Sequence, residues 1–317
     1  MAGGSDRSVS APSQVAASGE QIELRHGDQR AVVVEVGGGL RAYSAGEREL
    51  LDGYAEDRMC PSARGQVLIP WPNRLRDGEY EFGGERLQLA LSEPAQHNAI
   101  HGLVRWANWT PAQRDQDRVT MEHVLHPQDG YPFGLALRIE YRLEAGGLTV
   151  ETTATNVGAA DCPYGAGAHP YLTAGTETID DCTLKSPGAA WMRTDDQAIP
   201  TATEAVEATE YDFRSAKRLG STQLDTGYSE LERDPDGRAR VILQASDGDA
   251  RVTLWMDERY PYLMLFTGDS LPDRARRRRG LGVEPMTCAP NAYQTGAGLQ
   301  TLQPGESFTS AWGIEPA

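Results

Sequence analysis

From Gln21 onward the apolar residues come in short alternating or compact runs: Gln21-Ile-Glu-Leu-Arg, Arg30-Ala-Val-Val-Val-Glu-Val and Leu40-Arg-Ala-Tyr, separated by Gly27-Asp28 and Gly37-Gly38-Gly39. Period-two alternation bounded by turn residues is the pattern of strands. Glu79-Tyr-Glu-Phe and Glu85-Arg-Leu-Gln-Leu flank Gly83-Gly84, which predicts a hairpin. The same pattern predicts strands over 119–125, 135–143, 148–155, 239–244, 251–256, 263–267, 282–286 and 307–314. No ten-residue window satisfies a helix template, and no repeat of fixed period is visible. Because the runs alternate, antiparallel sheets are expected and a parallel βαβ array is not. The polar, acid-rich stretch 201–221 is expected to be a long connection within one unit. The fold class is therefore all-β, a large antiparallel β-sandwich over residues 21–317, preceded by a disordered leader at 1–20.

Composition supports that architecture. Thirty-four glycines and nineteen prolines in 317 residues suit a chain of many turns, and a 39% hydrophobic content is enough for a sizeable core. The net charge of −16 (30 basic, 46 acidic) argues against nucleic acid and against an anionic membrane face as partners. Cys60, Cys162, Cys182 and Cys288 show no C-x-x-C spacing, which points to reduced thiols and a cytoplasmic protein. The Ser/Ala/Gly-rich start lacks an apolar segment, so neither a signal peptide nor an anchor is expected. The Asn108-Trp-Thr sequon is then incidental. One basic run, Arg274-Ala-Arg-Arg-Arg-Arg279, stands out in this acidic chain. It reads either as a solvated loop or as a reader of phosphate or sulfonate.

Four segments place polar residues in stiff, apolar or glycine-rich surroundings. In Ile69-Pro-Trp-Pro-Asn-Arg-Leu, the Asn73 amide and the Arg74 fork could hold sugar hydroxyls or satisfy loop carbonyls. Gln96-His-Asn-Ala-Ile-His-Gly offers His97 and His101. A zinc pair at that spacing would need a helix, and Gly102 follows at once, so a hydrogen-bonding role is favoured and no metal is expected. His123 and His126 read as surface residues. In Tyr164-Gly-Ala-Gly-Ala-His-Pro-Tyr-Leu, small residues around His169 allow close approach of a ligand, and imidazole moves protons near neutral pH. In Leu281-Gly-Val-Glu-Pro-Met-Thr-Cys-Ala-Pro-Asn-Ala, Glu284 lies inside an apolar strand pattern, where burial would raise its pKa and strengthen it as a base.

Taken in order, Pro72-Asn-Arg-Leu, Asn98-Ala-Ile-His-Gly, Gly167-Ala-His-Pro-Tyr-Leu and Val283-Glu-Pro-Met-Thr-Cys-Ala-Pro-Asn-Ala resemble the aldose 1-epimerase (galactose mutarotase) family from about Gln21 to Pro316. The resemblance implies a mutarotase-like β-supersandwich with an open sugar groove and chemistry needing neither metal nor cofactor. It implies Glu284 as general base at the anomeric hydroxyl and His169 as general acid at the ring oxygen. His101, Arg74 and Asn73 would hold the sugar, with Asp225 in Leu224-Asp-Thr-Gly-Tyr as a further binding residue. The partner is then a small-molecule sugar, and a monomer or weak dimer is expected. Leu103 after Gly102, and Pro170, depart from the common family pattern, and Glu-Pro-Met-Thr-Cys resembles a bacterial branch, so the sugar stays open. The competing readings are a carbohydrate-binding protein without catalysis, an epimerase of a phosphorylated or sulfonated hexose reading the anion with Arg276–Arg279, and a glycoside hydrolase using Asp257 with Glu284. A Glu/His acid–base pair favours the epimerase.

Overall fold

A computed structural model describes residues 16–317; most of the expected leader, 1–20, lies outside the described residues. Its described end is packed, since Ser18 is buried and its carbonyl accepts the Val36 N–H.

Two large antiparallel sheets dominate. The nine-stranded sheet runs in the order Thr110–Arg114, Arg118–Leu125, Leu135–Glu144, Gly147–Asn156, Ser307–Pro316, Arg251–Met256, Ala239–Gln244, Thr183–Lys185 and Lys217–Arg218. The eight-stranded sheet runs Pro200–Ala205, Gly188–Thr194, Asp225–Leu231, Tyr262–Phe266, Leu281–Met286, Gly167–Ala168 and Val67–Leu68, with Tyr171–Leu172 also paired to Leu281–Met286. A four-stranded sheet over Gln21–Glu49 and three two-stranded ribbons complete the β structure, one of them the expected hairpin across Gly83-Gly84. Among the described residues the one α-helix is Ala292–Thr295. None of the described helices is long and apolar enough to cross a membrane.

Alternation does what the sequence pattern implies. In Leu135–Glu144 the residues Leu137, Ile139, Tyr141 and Leu143 enter a hydrophobic cluster that also receives Leu263, Leu265, Leu281 and Val283 from the other sheet. The strand Leu281–Met286 is buried at all six positions. Its odd residues feed the core, so its even residues, Gly282 and Glu284, lie on a second covered face. That second face is the floor of a cavity.

Two expectations need correction. The stretch 201–221 is not simply a connection. Pro200–Ala205 forms one edge of the eight-stranded sheet and Lys217–Arg218 one edge of the nine-stranded sheet, and their solvated edge positions explain the polar sequence. The arginine run is a solvated loop only in part, with Arg274 and Arg279 exposed and the arginines between them tied to the fold. Arg274–Arg276 makes a 3₁₀ turn, and Arg278 is held by Asp180, Asp269 and the carbonyls of Gly220 and Thr222. Arg276 donates to Asp52 and to the Gly53 carbonyl. All four cysteines are free and buried.

Candidate active site

The eight-stranded sheet brings the candidate residues together by register. Asp225 pairs with Phe266 and Phe266 with Gly282, while in the next row Gly227 pairs with Met264 and Met264 with Glu284. Gly167 opposes Met286 and Tyr171 opposes Gly282 across the same strand, so His169, midway between them, faces Glu284. Pro170 has no N–H and interrupts the ladder at this point. Its carbonyl still accepts the Val283 N–H, and the His169 backbone is held on its other side by the Gly65 N–H and the Gln66 carbonyl. Gly282 leaves room between Phe266 and the imidazole: a Cβ there would crowd Phe266, 3.2 Å from its Cβ, and come into ordinary contact with His169 Cε1 at 3.6 Å.

A short ribbon supplies the opposite wall. Arg74–Arg76 pairs with Asn98–Ile100, which sets Arg74 against Ile100 and places His101 next to Asn73. Asn73 and His101 both take left-handed backbone angles and close on each other: the His101 N–H donates to the Asn73 carbonyl at 2.9 Å, and the Asn73 N–H donates to His101 Nδ1 at 3.1 Å. Because Nδ1 accepts, the His101 proton sits on Nε2, and that N–H is free to serve a sugar oxygen. Gly102 lets this loop press onto its neighbour, since a Cβ at its φ of +69° would fall 2.0 Å from the Ile69 carbonyl oxygen.

The resulting cavity is about 510 Å³, within the usual range for small-molecule sites, and is lined by Asn73, Arg74, His101, His169, Asp225 and Glu284 together. His169 Nε2 lies 3.3 Å from Glu284 Oε1, and both side chains are buried. The His169 and His101 rings meet edge to face at 5.4 Å. Arg74 forks onto Glu93 at 2.9 and 3.1 Å and stands 3.9 Å from the half-exposed Asp225 at the mouth. Burial pushes the Glu284 carboxyl well above its ordinary range, assisted by the Asp225 charge and opposed by Arg74. Burial pulls His169 down to about 3, and Arg64, Arg105 and Arg74 press it the same way. His101 is also held well below its ordinary value, chiefly by burial. Burial therefore disfavours the charged form of both members of the unliganded pair.

Several supporting residues carried no recognisable signal in the sequence. Tyr171 stacks on His169 at 4.9 Å with an 11° tilt, Arg64 lies over the far side of Tyr171 at 4.3 Å, and Asp52 pairs with Arg64 at 3.0 Å in a buried contact. Glu93, which orients Arg74, and Arg105 also line the cavity. Within the motifs only Tyr171 stood next to a candidate; Arg64, Glu93 and Arg105 are ordinary charged residues until the chain folds.

Other candidates fall elsewhere. His97 is exposed and bonded to Asp77, away from His101, so those two histidines do not form a metal pair. The nitrogen and oxygen atoms of His101, His169 and Glu284 do lie within 4.8 Å of one another, close enough to surround a cation. Asp257 accepts the Ala311 and Arg259 N–H groups and does not line the cavity, which removes the carboxylate pair weighed for a hydrolase. His123 contacts the Asn108 carbonyl on another face. Arg276 and Arg279 line a separate, larger cleft of about 940 Å³ that holds neither His169 nor Glu284, so the arginine run does not reach the acid–base pair.

A sequence model of aldose 1-epimerase matches residues 20–315. The chain is 33% identical over 290 residues to the uncharacterized protein YihR of Escherichia coli, covering 91% of each. It is 24% identical over 289 residues to YphB of the same organism, covering 90% of this chain and 95% of YphB. Among solved structures it resembles a GalM/aldose epimerase homologue from C. elegans, with a TM-score of 0.82 at 18% identity over 94% of this chain and 98% of the other. It also resembles a galactose 1-epimerase from Lactobacillus acidophilus, with a TM-score of 0.74 at 21% identity over 94% of both chains. At these identities the structural likeness establishes the galactose mutarotase-like fold.

Proposed function

The chain belongs to the aldose 1-epimerase family, and from that premise we propose that it interconverts the α and β anomers of an aldohexose by acid–base opening and closing of the ring at His169 and Glu284. The observation that carries this reading is the 3.3 Å contact between His169 Nε2 and Glu284 Oε1 inside a sugar-sized cavity. The two oxygens that must exchange a proton, the anomeric hydroxyl and the ring oxygen, are bonded to one carbon. A base and an acid in contact with each other can therefore address both.

Glu284 takes the proton of the anomeric hydroxyl while His169 delivers one to the ring oxygen, and the C1–O5 bond breaks to give the open aldehyde. Rotation about C1–C2 presents the other face, and reclosure with the roles exchanged returns the other anomer. These roles need Glu284 ionised and His169 protonated, a state that proton passage across their 3.3 Å contact can supply. Arg74 and the incoming sugar hydroxyls supply the polar partners that the carboxylate otherwise lacks, since Glu284 Oε2 is buried without one. The His101 Nε2–H and Arg74 Nη1, which Glu93 leaves unused, hold sugar oxygens, with Asn73 and Asp225 at the cavity wall and mouth. Proton transfer at two oxygens is the whole reaction, so it draws on no cofactor, and positioned acid–base groups supply roughly 10²–10⁴-fold. Four free, buried thiols accord with a cytoplasmic location.

The test is anomer interconversion of freshly dissolved α-sugars, followed by polarimetry or NMR. Acceleration over the spontaneous rate is expected, with a loss of roughly 10²–10⁴-fold in Glu284→Gln and His169→Asn. Sugar binding without acceleration would make the protein a binding module, and release of reducing ends from a glycoside would make it a hydrolase.

A further inference from the structure

Among the described residues, the cavity holds one arginine without an ion-pair partner. Arg105 lines the same cavity as His101 and His169. Its guanidinium makes a single hydrogen bond, from Nη2 to the Ile100 carbonyl at 3.3 Å, and its Nε is buried without a partner. Among the described residues, no carboxylate lies within ion-pair distance of it, in a chain carrying 46 acidic residues against 30 basic ones. Arg74, by contrast, is committed to Glu93 and Asp225. An arginine has five N–H donors in a rigid fork; here the Nε–H is buried without a partner, which is costly, while Nη1 has no protein partner and is not buried, so it can receive a ligand.

The side of the cavity is also defined. The Arg105 carbonyl accepts from Gln66 Nε2 at 2.9 Å, the Gln66 carbonyl accepts the His169 N–H, and the Arg105 guanidinium reaches the carbonyl of Ile100, the residue before His101. Arg105 thus stands on the histidine side of the cavity, and its charge acts on His101 and His169. In the acid–base reading, on which this inference rests, His169 serves the ring oxygen. That oxygen is bonded to C5, and C5 carries the exocyclic C6.

We propose that Arg105 is a substrate-specificity residue that receives an oxyanion on the C6 side of the sugar, so that the preferred substrate is an anionic aldohexose. A carboxylate, a phosphate or a sulfonate at C6 shares the chemistry the fork reads: two or more oxygens bearing negative charge, matched bidentately by guanidinium N–H groups. The anion site is then an isolated arginine in the cavity and not the run Arg276–Arg279, which faces the other cleft.

The experiment compares anomer interconversion of glucose with that of its 6-carboxylate, 6-phosphate and 6-sulfonate analogues, in the native protein and in Arg105→Gln and Arg105→Lys. The ratio of kcat/KM for an oxyanion sugar to that for glucose is expected to favour the oxyanion in the native protein. It is expected to fall about 10- to 100-fold in Arg105→Gln, the worth of a charge-assisted contact, and less in Arg105→Lys, which keeps the charge and loses the fork. Being a ratio, it does not depend on the fraction of folded variant. The three analogues separate the possible anions, and preference for any one upholds the proposal. A native preference for glucose over all three, or a ratio unchanged in Arg105→Gln, overturns it while leaving the anomerisation reading intact. If no sugar is accelerated, that reading fails, and calorimetric binding decides the inference separately. Tighter binding of an oxyanion analogue than of glucose, lost in Arg105→Gln, upholds it; equal or absent binding overturns it.

Discussion

Replacing Glu284 by glutamine should damage catalysis and stabilise the fold together. The carboxyl is buried, touches His169 at 3.3 Å through Oε1, and leaves Oε2 with no partner. A neutral amide of the same shape can donate to His169 Nε2 and carries no charge to desolvate. Leaving a buried polar group unsatisfied costs about 1–3 kcal/mol, and ionising it in place costs a further ~1.4 kcal/mol for each unit by which its pKa is raised. The orphaned atom burdens the amide as much as the acid, so Glu284→Gln is expected to gain the ionisation cost at pH 8, about 1.4 kcal/mol for each pH unit above 4.5 through which the folded carboxyl keeps its proton. The pH dependence has a definite sign. The folded carboxyl holds its proton above the ordinary value of 4.5, so between that value and its raised pKa the folded state binds more protons than the unfolded one. Native stability therefore falls as pH rises through this window, and the advantage of the variant should shrink toward zero as pH is lowered to about 4.5. Urea unfolding followed by tryptophan fluorescence at pH 5, 6.5 and 8 measures it, alongside anomer interconversion. A variant less stable than the native protein at pH 8, or a gain that does not change with pH, would refute the burial argument. A rate within a few-fold of native would refute the role of Glu284 as the base.

His169→Asn should flatten stability on the acid side. The folded imidazole stays neutral down to about 3 while the unfolded one charges near 6.5, so native stability falls as pH drops through that window, by about 1.4 kcal/mol per unit more than the variant's. Equal slopes in denaturation series at pH 6.5, 5.5 and 4.5 would contradict this. Arg64→Met strips Asp52 of its buried partner and removes the cation over Tyr171; with Arg276 still on the same carboxylate, the cost should sit near the lower end of the range for breaking a buried pair, about 3 kcal/mol in urea. Gly282→Ala places a methyl beside His169 on the cavity face, and is expected to lower kcat with far-UV circular dichroism unchanged; native kcat would mean the imidazole has slack. A strong chelator should leave anomer interconversion untouched, and a loss restored by a divalent ion would instead assign the His101–His169–Glu284 cluster to a metal.

The strand pattern was readable where one face of a strand is solvated. Ala239–Gln244 and Leu135–Glu144, buried at alternate positions, fall where alternation put them. It was not readable in Gly188–Thr194 or Asp225–Leu231, whose small and polar residues pack against neighbouring strands or floor the cavity, so neither face is a plain apolar stripe. The edge strand Pro200–Ala205 was hidden for the opposite reason, having almost no buried face at all. The acid–base pair was legible because each member sits in an apolar or glycine-rich context that makes a polar residue conspicuous. Their register was not, since it depends on how Gly167–Ala168 and Tyr171–Leu172 straddle Pro170 against one partner strand.

Charge was the least legible property, for a physical reason. Whether an arginine is available to a ligand depends on which carboxylates the fold brings to it, and those come from anywhere in the chain. Two arginines of the conspicuous run at 274–279 are consumed in this way: Asp52 lies 224 residues from Arg276 and Asp180 lies 98 residues from Arg278. The unremarked Arg105, four residues after His101, is reached by none. A local excess of positive residues in an acidic chain recruits counter-ions during folding and so tends to become structure. An isolated arginine lodged beside two buried histidines cannot recruit a carboxylate without setting a negative charge against the acid–base pair, which would hold the His169 proton in place and oppose its transfer to the ring oxygen. A substrate that brings its own anion fills that vacancy only while it is bound, and it leaves with the product.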